Sequence, residues 1–178
     1  MTMKGANFLE KLLDNQPVEC KKLEEVCDVL RGRVISKIDI RDNPGQYPVY
    51  SSKTADDGEI GRINTFDFDT EGITWTTDGA NAGSVFYRKG RFSITNVCGL
   101  ISINDLEVLS YKFLYYWLSI SAKSYVNQGM GNPKLMSHQV LRIEIPIPPL
   151  SVQERIVEIL DRFTALEAEL EAELDCRK

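Results

Sequence analysis

The stretch that decides the fold is IPIPPLSVQERIVEILDRFTALEAEL, residues 145–170, in which a proline-rich run gives way to a long helical pattern. Three of the four residues from Pro146 to Pro149 are prolines, which cannot occupy a helix interior or a central strand. The run therefore predicts a stiff connector between a globular domain at 1–149 and a helix at 150–178. Ser151 and Glu154 stand three residues apart, as in a capping box at the start of that helix.

Apolar residues follow the connector at alternating steps of four and three, which is the heptad pattern of a coiled coil. This seam consists of Val152, Ile156, Ile159, Phe163, Leu166 and Leu170. A lone helix of this kind is marginal in water, so the seam needs a partner. We predict that this helix packs between subunits, because the connector directs it away from its own domain. The alternative is a terminal helix that folds back on the preceding domain.

The middle of the chain alternates between strand-like runs and turn residues. β-Branched and aromatic residues predict a strand at 72–77, and 84–97 predicts two strands about a turn at Lys89 and Gly90. Residues 34–40 predict a strand or an extended loop. These short elements with many turns indicate a strand-rich domain.

Helical periodicity appears at both ends of that strand-rich region. It predicts short helices at 7–14 and 18–30 and a longer helix within 110–126. Residues 134–145 predict a helical turn followed by a strand. The expected fold class is therefore mixed α+β: a strand-rich globular domain with short helices, followed by a long C-terminal helix of the coiled-coil type.

Acidic charge is concentrated on the C-terminal helix. The chain of 178 residues carries 26 acidic and 21 basic residues, and eight of those acids and four of those bases lie from Ser151 onward. Removing them leaves 18 acids and 17 bases for residues 1–150. A nearly neutral domain can bind a polyanion if its bases share one face, but not through bulk charge.

Cysteine usage and the N-terminus indicate a reducing compartment. The four cysteines form no C-x-x-C pair, so free thiols are expected rather than a zinc site. The sequence begins with no secretory signal and has no apolar run long enough to span a bilayer. We therefore predict a cytoplasmic protein without a membrane contact.

The residues that most resemble catalytic groups have simpler interpretations. Asp67 and Asp69, like the acids near Asp57, fit solvated loop positions better than a metal site. His138, the sole histidine, has no orienting acid and no strained nucleophile turn beside Ser137. No phosphate-binding glycine motif is present. The chain is thus predicted to be non-catalytic and to hold no cofactor or metal of its own.

Several segments together resemble the specificity subunit of type I restriction–modification systems. They are KKLEEVCDVLRGRVISK at 21–37, GQYPVYSS at 45–52, TDGANAG at 77–83, FLYYWL at 113–118 and GNPKLMSHQVLRIEIPIPPLSVQERIVEILDRF at 131–163. The resemblance implies a target-recognition domain and a spacer helix, which would recognise one half of a bipartite target in double-stranded DNA. It also implies modification subunits that bind S-adenosylmethionine, and restriction subunits. Here one recognition domain and one helix are present where two of each are expected, so we predict a two-fold homodimer through the C-terminal helix that rebuilds this layout.

Candidate DNA contacts follow from residue type, because phosphates are bound by bases and hydroxyls, and base edges by forked donors and amides. They are Arg33, Lys37, Ser52, Lys53, Asn81, Arg88, Lys89, Arg91, Asn132 and Lys134. Two rival functions remain. One is a protein–protein adaptor that binds no nucleic acid, which the near-neutral charge favours, and the other is a metal-dependent nuclease that uses the acidic loops.

Overall fold

The computed structural model describes residues 18–129 and 131–176, so the helix predicted at 7–14 lies outside the described residues. Strands and helices alternate in short lengths before one long helix. They are β1 Glu19–Lys22, α1 Leu23–Val26, β2 Cys27–Arg31, α2 Lys37–Asp42, β3 Pro44–Tyr50, β4 Glu59–Ile63, β5 Phe68–Thr76, β6 Val85–Ile94, β7 Cys98–Ile103, α3 Tyr111–Ser121, α4 Ser137–Val140, β8 Glu144–Ile147 and α5 Leu150–Cys176, with 3-10 turns at Ala55–Gly58 and Ala122–Tyr125. The mixed fold with a long C-terminal helix is as predicted.

A six-stranded sheet in the order β2-β7-β5-β6-β3-β4 forms the centre of the domain. Its neighbours are antiparallel except for β3 and β6, which run parallel where Val49 and Tyr50 face Ser93 and Ile94. β1 and β8 form a separate two-stranded sheet. Alternating strand residues place Ile73, Trp75 and Ile101 in the main core, together with the buried face of α3.

Trp75 explains one position that only glycine can occupy. Its indole lies against Gly99 of β7, where a Cβ atom would stand 2.0 Å from the ring. The indole N–H donates to the carbonyl of Leu135 at 2.9 Å, so the ring is buried without losing its polar partner. This contact ties the sheet to the segment that precedes α4.

The helix predicted at 18–30 is wrong. That segment forms β1, a single helical turn and β2, because both strands find distant partners: Glu19 faces Ile147 of β8, and Cys27 faces Ile103 of β7. Leu23 and Val26 are buried as the apolar spacing indicated. Tertiary pairing therefore overrides local periodicity here.

The strand or extended loop predicted at 34–40 is also wrong from Lys37 onward, where α2 begins. Ser36 caps this helix: its hydroxyl accepts from the N–H of Asp39 at 3.1 Å, and the Asp39 carboxylate accepts from the N–H of Ser36 at 2.7 Å. The Asp39 carboxylate also accepts from the Ser36 hydroxyl at 2.7 Å, and this bond, together with the one from the Ser36 N–H, holds the pKa of Asp39 below its usual value. The S-x-x-D spacing was the available signal.

The hairpin turn predicted at Lys89 and Gly90 does not form. β6 continues through both residues, and Glu71 and Thr70 of β5 face them across the pair. Gly90 has φ +99, a conformation that glycine adopts without strain, so the strand can bend there without ending.

The long helix α5 starts on the domain and then leaves it. It begins at Leu150, one residue before Ser151, so the predicted cap lies inside the first turn. Val152 and Gln153 are buried and Ile156 packs partly against the core, whereas Phe163 and Leu166 are 64% and 54% exposed. The division at 149/150 stays a prediction. Among the described helices, none is both long and apolar enough to cross a membrane.

Candidate nucleic-acid interface

Three polar loops from distant parts of the sequence meet beside the central sheet. The segment 51–58 follows β3, the segment 77–84 links β5 to β6, and the segment 127–134 precedes α4. The Asn81 side chain donates to the carbonyl of Ser52 at 3.3 Å, and the N–H of Gly79 donates to the carbonyl of Pro133 at 3.0 Å. We call these three segments the loop cluster.

The 127–134 loop is closed at its base by hydrogen bonds. Asn127 and Lys134 exchange two backbone hydrogen bonds of 2.8 and 3.1 Å, and the Asn127 side chain accepts from the N–H of Gly129 at 2.9 Å. Gly131 has φ +142, and a Cβ atom there would meet nothing within 4 Å. The described side of this loop lines an open polar concavity of about 520 Å³ with Asn132 and Lys134.

The 51–58 loop has a strained backbone. Asp56 and Asp57 have φ of 52° and 51°, and Gly58 follows at 82°. Each non-glycine residue in this left-handed region costs on the order of 1–2 kcal/mol, so the surroundings must impose the conformation. Ser51 donates its N–H to the carbonyl of Gly58 at 2.9 Å, which closes the loop below the exposed Lys53.

Arg88 lies beneath that loop rather than on the surface, with only 7% of the residue exposed. Its Nε–H donates to Thr74 Oγ1 at 3.2 Å, and its Nη2 donates to the backbone carbonyl of Asp57. Its guanidinium carbon stands 3.6 Å from the ring centroid of Tyr50 and 4.7 Å from that of Phe86. Burial lowers the pKa of the Arg88 guanidinium, and the nearby Tyr50 and Asp57 oppose that shift.

Most of the predicted basic contacts are ion-paired. In the loop cluster, the Lys53 ammonium lies 2.6 Å from the Asp56 carboxylate and that of Lys134 lies 3.7 Å from Asp78. Elsewhere Arg33 pairs with Asp67, Lys89 with Glu71 and Arg91 with Asp69, at 3.0, 3.4 and 2.9 Å. A polyanion would have to compete with these carboxylates. No group of three or more metal-ligating side chains occurs among the residues the structure describes.

The predicted contacts therefore fall into two regions. The loop cluster brings together Ser52, Lys53, Asn81, Asn132 and Lys134, with Arg88 below it. A second region lies at the end of the β5–β6 pair where β5 begins. There Arg33, Lys89 and Arg91 stand opposite the acids of 67–71. Lys37 is exposed in the first turn of α2. No hydrogen bond links the two regions through these side chains within 18–129 and 131–176.

Comparison with known proteins decides the family. The family model described as type I restriction modification DNA specificity domain matches residues 15–175. The chain belongs to this family. The resemblance seen in the sequence is thereby confirmed.

Relatives and solved structures extend the match to this specificity domain. The chain is 51% identical over 146 residues to the N-terminus of a type I specificity subunit of Mycoplasma pneumoniae. The match covers 82% of the chain and 78% of that relative. The chain is 43% identical over 168 residues to the type I restriction enzyme MpnII specificity subunit of the same organism, covering 92% of the chain and 50% of that relative.

The fold also matches solved specificity subunits. The S subunit of a type I restriction–modification system from M. genitalium superposes with a TM-score of 0.72 at 18% identity, covering 89% of the chain and 42% of that protein. The HsdS subunit from Thermoanaerobacter tengcongensis superposes with a TM-score of 0.67 at 18% identity, covering 94% and 45%. The chain thus spans about half the length of several of these proteins.

The list of candidate contacts leaves out two side chains that build the loop cluster of this specificity domain. Arg31 donates to the carbonyl of Asn96 at 2.5 Å and to Thr77 Oγ1 at 3.3 Å, which joins β2 to the turn before β7. Asn127 closes the glycine loop. The Asn-x-Gly spacing was a usable signal for Asn127, whereas nothing local marked the partners of Arg31.

An apolar groove lies on the specificity domain where α5 leaves it. It has a volume of about 480 Å³ between α3, β8 and α5, and its walls include Val18, Trp117, Ile120, Pro146, Ile156 and Leu160. Ile120 is 73% exposed at its rim. The groove therefore presents apolar surface near the start of the exposed part of the seam.

Proposed function

We propose that this chain is a non-catalytic DNA-recognition component of a type I restriction–modification enzyme, and that it recognises one half of a bipartite target. The observation that carries the proposal is the loop cluster. Amide, hydroxyl and ammonium groups from three distant segments converge there, in a chain that belongs to a DNA specificity family. Side chains of these types suit contacts with base edges and phosphates.

The exposed half of the seam supports a homodimer as part of this function. Its residues Phe163, Leu166 and Leu170, and Leu174 beyond them, are each more than half exposed, along a helical segment about 18 Å long. A two-fold pairing of two such helices would cover both seams and place two loop clusters at a fixed separation. The second copy would then supply the domain that recognises the other half of the bipartite target. Modification subunits that bind S-adenosylmethionine would dock on the assembly, restriction subunits would join it, and the complex would act in the cytoplasm.

A selection experiment tests DNA recognition directly. The purified chain is incubated with a pool of double-stranded DNA that carries a randomised central segment, and bound DNA is sequenced after several rounds. We expect one short motif to be enriched. A pool that stays random after selection would contradict the proposal.

Two asparagine variants sharpen the experiment. Asn132→Ala should relax the motif at one base position, at a cost of about 1–3 kcal/mol there, if its amide contacts a base. Asn104→Ala is the matched control, because Asn104 is an exposed asparagine that directly follows the last residue of β7 and lies outside the loop cluster. Equal losses on the motif and on random duplex would remove Asn132 from the base contacts.

The second candidate function is a protein–protein adaptor that binds no nucleic acid. The apolar groove beside α5 and the carboxylate partners of the exposed bases favour it. Under this function the selection yields no motif, and the chain does not bind random duplex at low salt.

A further inference from the structure

The strained loop at 51–58 needs a part of the domain that holds it in place. Three successive residues, Asp56 to Gly58, have positive φ, and two of them carry side chains. Such a backbone relaxes unless bonds from the rigid sheet fix it. The exposed Lys53 and the half-buried Ser52, both in the loop cluster, take their positions from this loop.

Arg88 supplies those bonds from the middle of β6. Its guanidinium reaches the Asp57 carbonyl at the strained turn while its Nε–H is bonded to Thr74 on β5, so one side chain links the loop to two paired strands. The ring of Tyr50, the last residue before the loop, lies 3.6 Å from the guanidinium carbon. Arg88 thus contacts the residue that precedes the 51–58 segment and a residue near its end.

Burial argues against a direct DNA contact for Arg88. The residue is 93% covered, since 7% of it is exposed. It also makes no ion pair with a carboxylate among the described residues, unlike the exposed bases Lys53 and Lys134. The Arg88 guanidinium stacks on an aromatic face and donates to a carbonyl and a hydroxyl, so its interactions are already made within the protein.

We propose that Arg88 is a positioning residue for DNA specificity: it clamps the 51–58 loop so that Ser52 and Lys53 meet the duplex in one geometry. The inference rests on the proposed function. It changes the role predicted for Arg88 from a contact to a support, and it predicts that specificity depends on a residue that DNA does not touch.

Hydrogen exchange and DNA selection on the full chain test this together. In Arg88→Met, the amides of Ser51 and Glu59, which are bonded to the carbonyls of Gly58 and Asp56, should exchange about tenfold or more faster. The motif selected from the randomised duplex pool should broaden. Affinity for random duplex and its salt dependence should stay those of the wild type, because no phosphate contact is lost.

Two further variants separate the clamp from simple charge and from misfolding. Arg88→Lys keeps the positive charge but loses the planar guanidinium that donates to two partners at once. It should therefore broaden the motif as Arg88→Met does. Thr74→Val leaves Arg88 in place and removes one of its acceptors, so it should give a weaker version of both effects.

Several results would overturn the inference. Unchanged exchange at Ser51 and Glu59 in both Arg88 variants would show that the loop does not depend on Arg88. A drop in affinity for random duplex with a salt slope smaller by about one, while the amides of Ser51 and Glu59 exchange as in the wild type, would make Arg88 itself a phosphate contact. Full rescue by lysine would assign the effect to charge. If the wild type enriches no motif, the proposed function is wrong and the specificity role with it, while exchange still decides whether Arg88 holds the loop.

Discussion

The side chain of Gln153 in the first turn of α5 accepts a hydrogen bond from the backbone N–H of Ser110, the residue that caps α3, at 2.9 Å. Its amide nitrogen donates to the carbonyls of Val108 and Pro148, both at 2.8 Å. Gln153 is fully buried, and both of its polar atoms are bonded. This one amide therefore joins the long helix, the proline connector and the α3 cap.

Gln153→Ala should lower the free energy of unfolding by about 2–4 kcal/mol, because it leaves a partly buried N–H and two carbonyls without this partner and opens a cavity at a fully buried position. Urea unfolding followed by circular dichroism measures this. Glu154→Ala, at the exposed neighbour, is the control and should stay within about 0.5 kcal/mol of the wild type. A loss below 0.5 kcal/mol in Gln153→Ala would mean that water or local rearrangement replaces these bonds.

The exposed end of the seam should control self-association. Leu166→Asp combined with Leu170→Asp places two charges on the predicted interface, so we expect a dimer to become a monomer in sedimentation equilibrium. Glu167→Gln combined with Glu169→Gln is the matched pair on the same turns and should leave the dimer intact. Identical sedimentation of the leucine variant and the wild type would exclude the seam as the interface.

Folding of the domain should survive the leucine change, because neither leucine packs on the core. The buried start of the helix gives the contrasting case. Val152→Asp should unfold the domain rather than only dissociate it, since Val152 is 4% exposed. A folded monomer from Val152→Asp would show that the first turn of α5 is dispensable for the domain.

Local pattern was enough for elements whose partners lie close in sequence. α3 and the long helix were predicted from apolar spacing, and the buried start and exposed end of that helix correspond to the two alternatives for the seam. β1 was missed because its partner β8 lies about 125 residues later. Arg88 was taken for a surface contact because the face of a strand is not defined until its register is known.

The ion pair between Lys53 and Asp56 should weaken DNA binding in the wild type. Lys53→Ala should reduce affinity for every duplex and flatten the dependence of log K on log salt by about one, if its ammonium meets a phosphate. Asp56→Asn should act in the opposite direction. It frees the ammonium, and asparagine tolerates the left-handed backbone at φ 52.

We expect Asp56→Asn to tighten binding to random duplex by about two- to fivefold, because an exposed ion pair is screened by solvent and competes only weakly. Fluorescence anisotropy with a labelled duplex at several salt concentrations measures both variants. Asp42→Asn serves as the control, because Asp42 pairs with Arg41 at 2.8 Å on α2, outside the loop cluster. Weaker binding by Asp56→Asn would show that Asp56 holds Lys53 in place instead of competing with DNA.

Two buried thiols should make the domain less stable at high pH. Burial raises the pKa of Cys27 and of Cys98 from 9.0 to about 12. The unfolded chain therefore loses these protons at lower pH than the folded chain does, so the free energy of unfolding falls as the pH rises from about 9 to about 12. Each thiol contributes about 1.4 kcal/mol per pH unit within that window, and nothing below it.

Urea unfolding between pH 8 and about 11 measures the slope of the free energy of unfolding against pH. Cys98→Ala should reduce this slope by the contribution of one thiol. Cys20→Ser changes an exposed cysteine and should leave the slope as it is. A slope that Cys98→Ala does not alter would mean that this thiol ionises alike in both states.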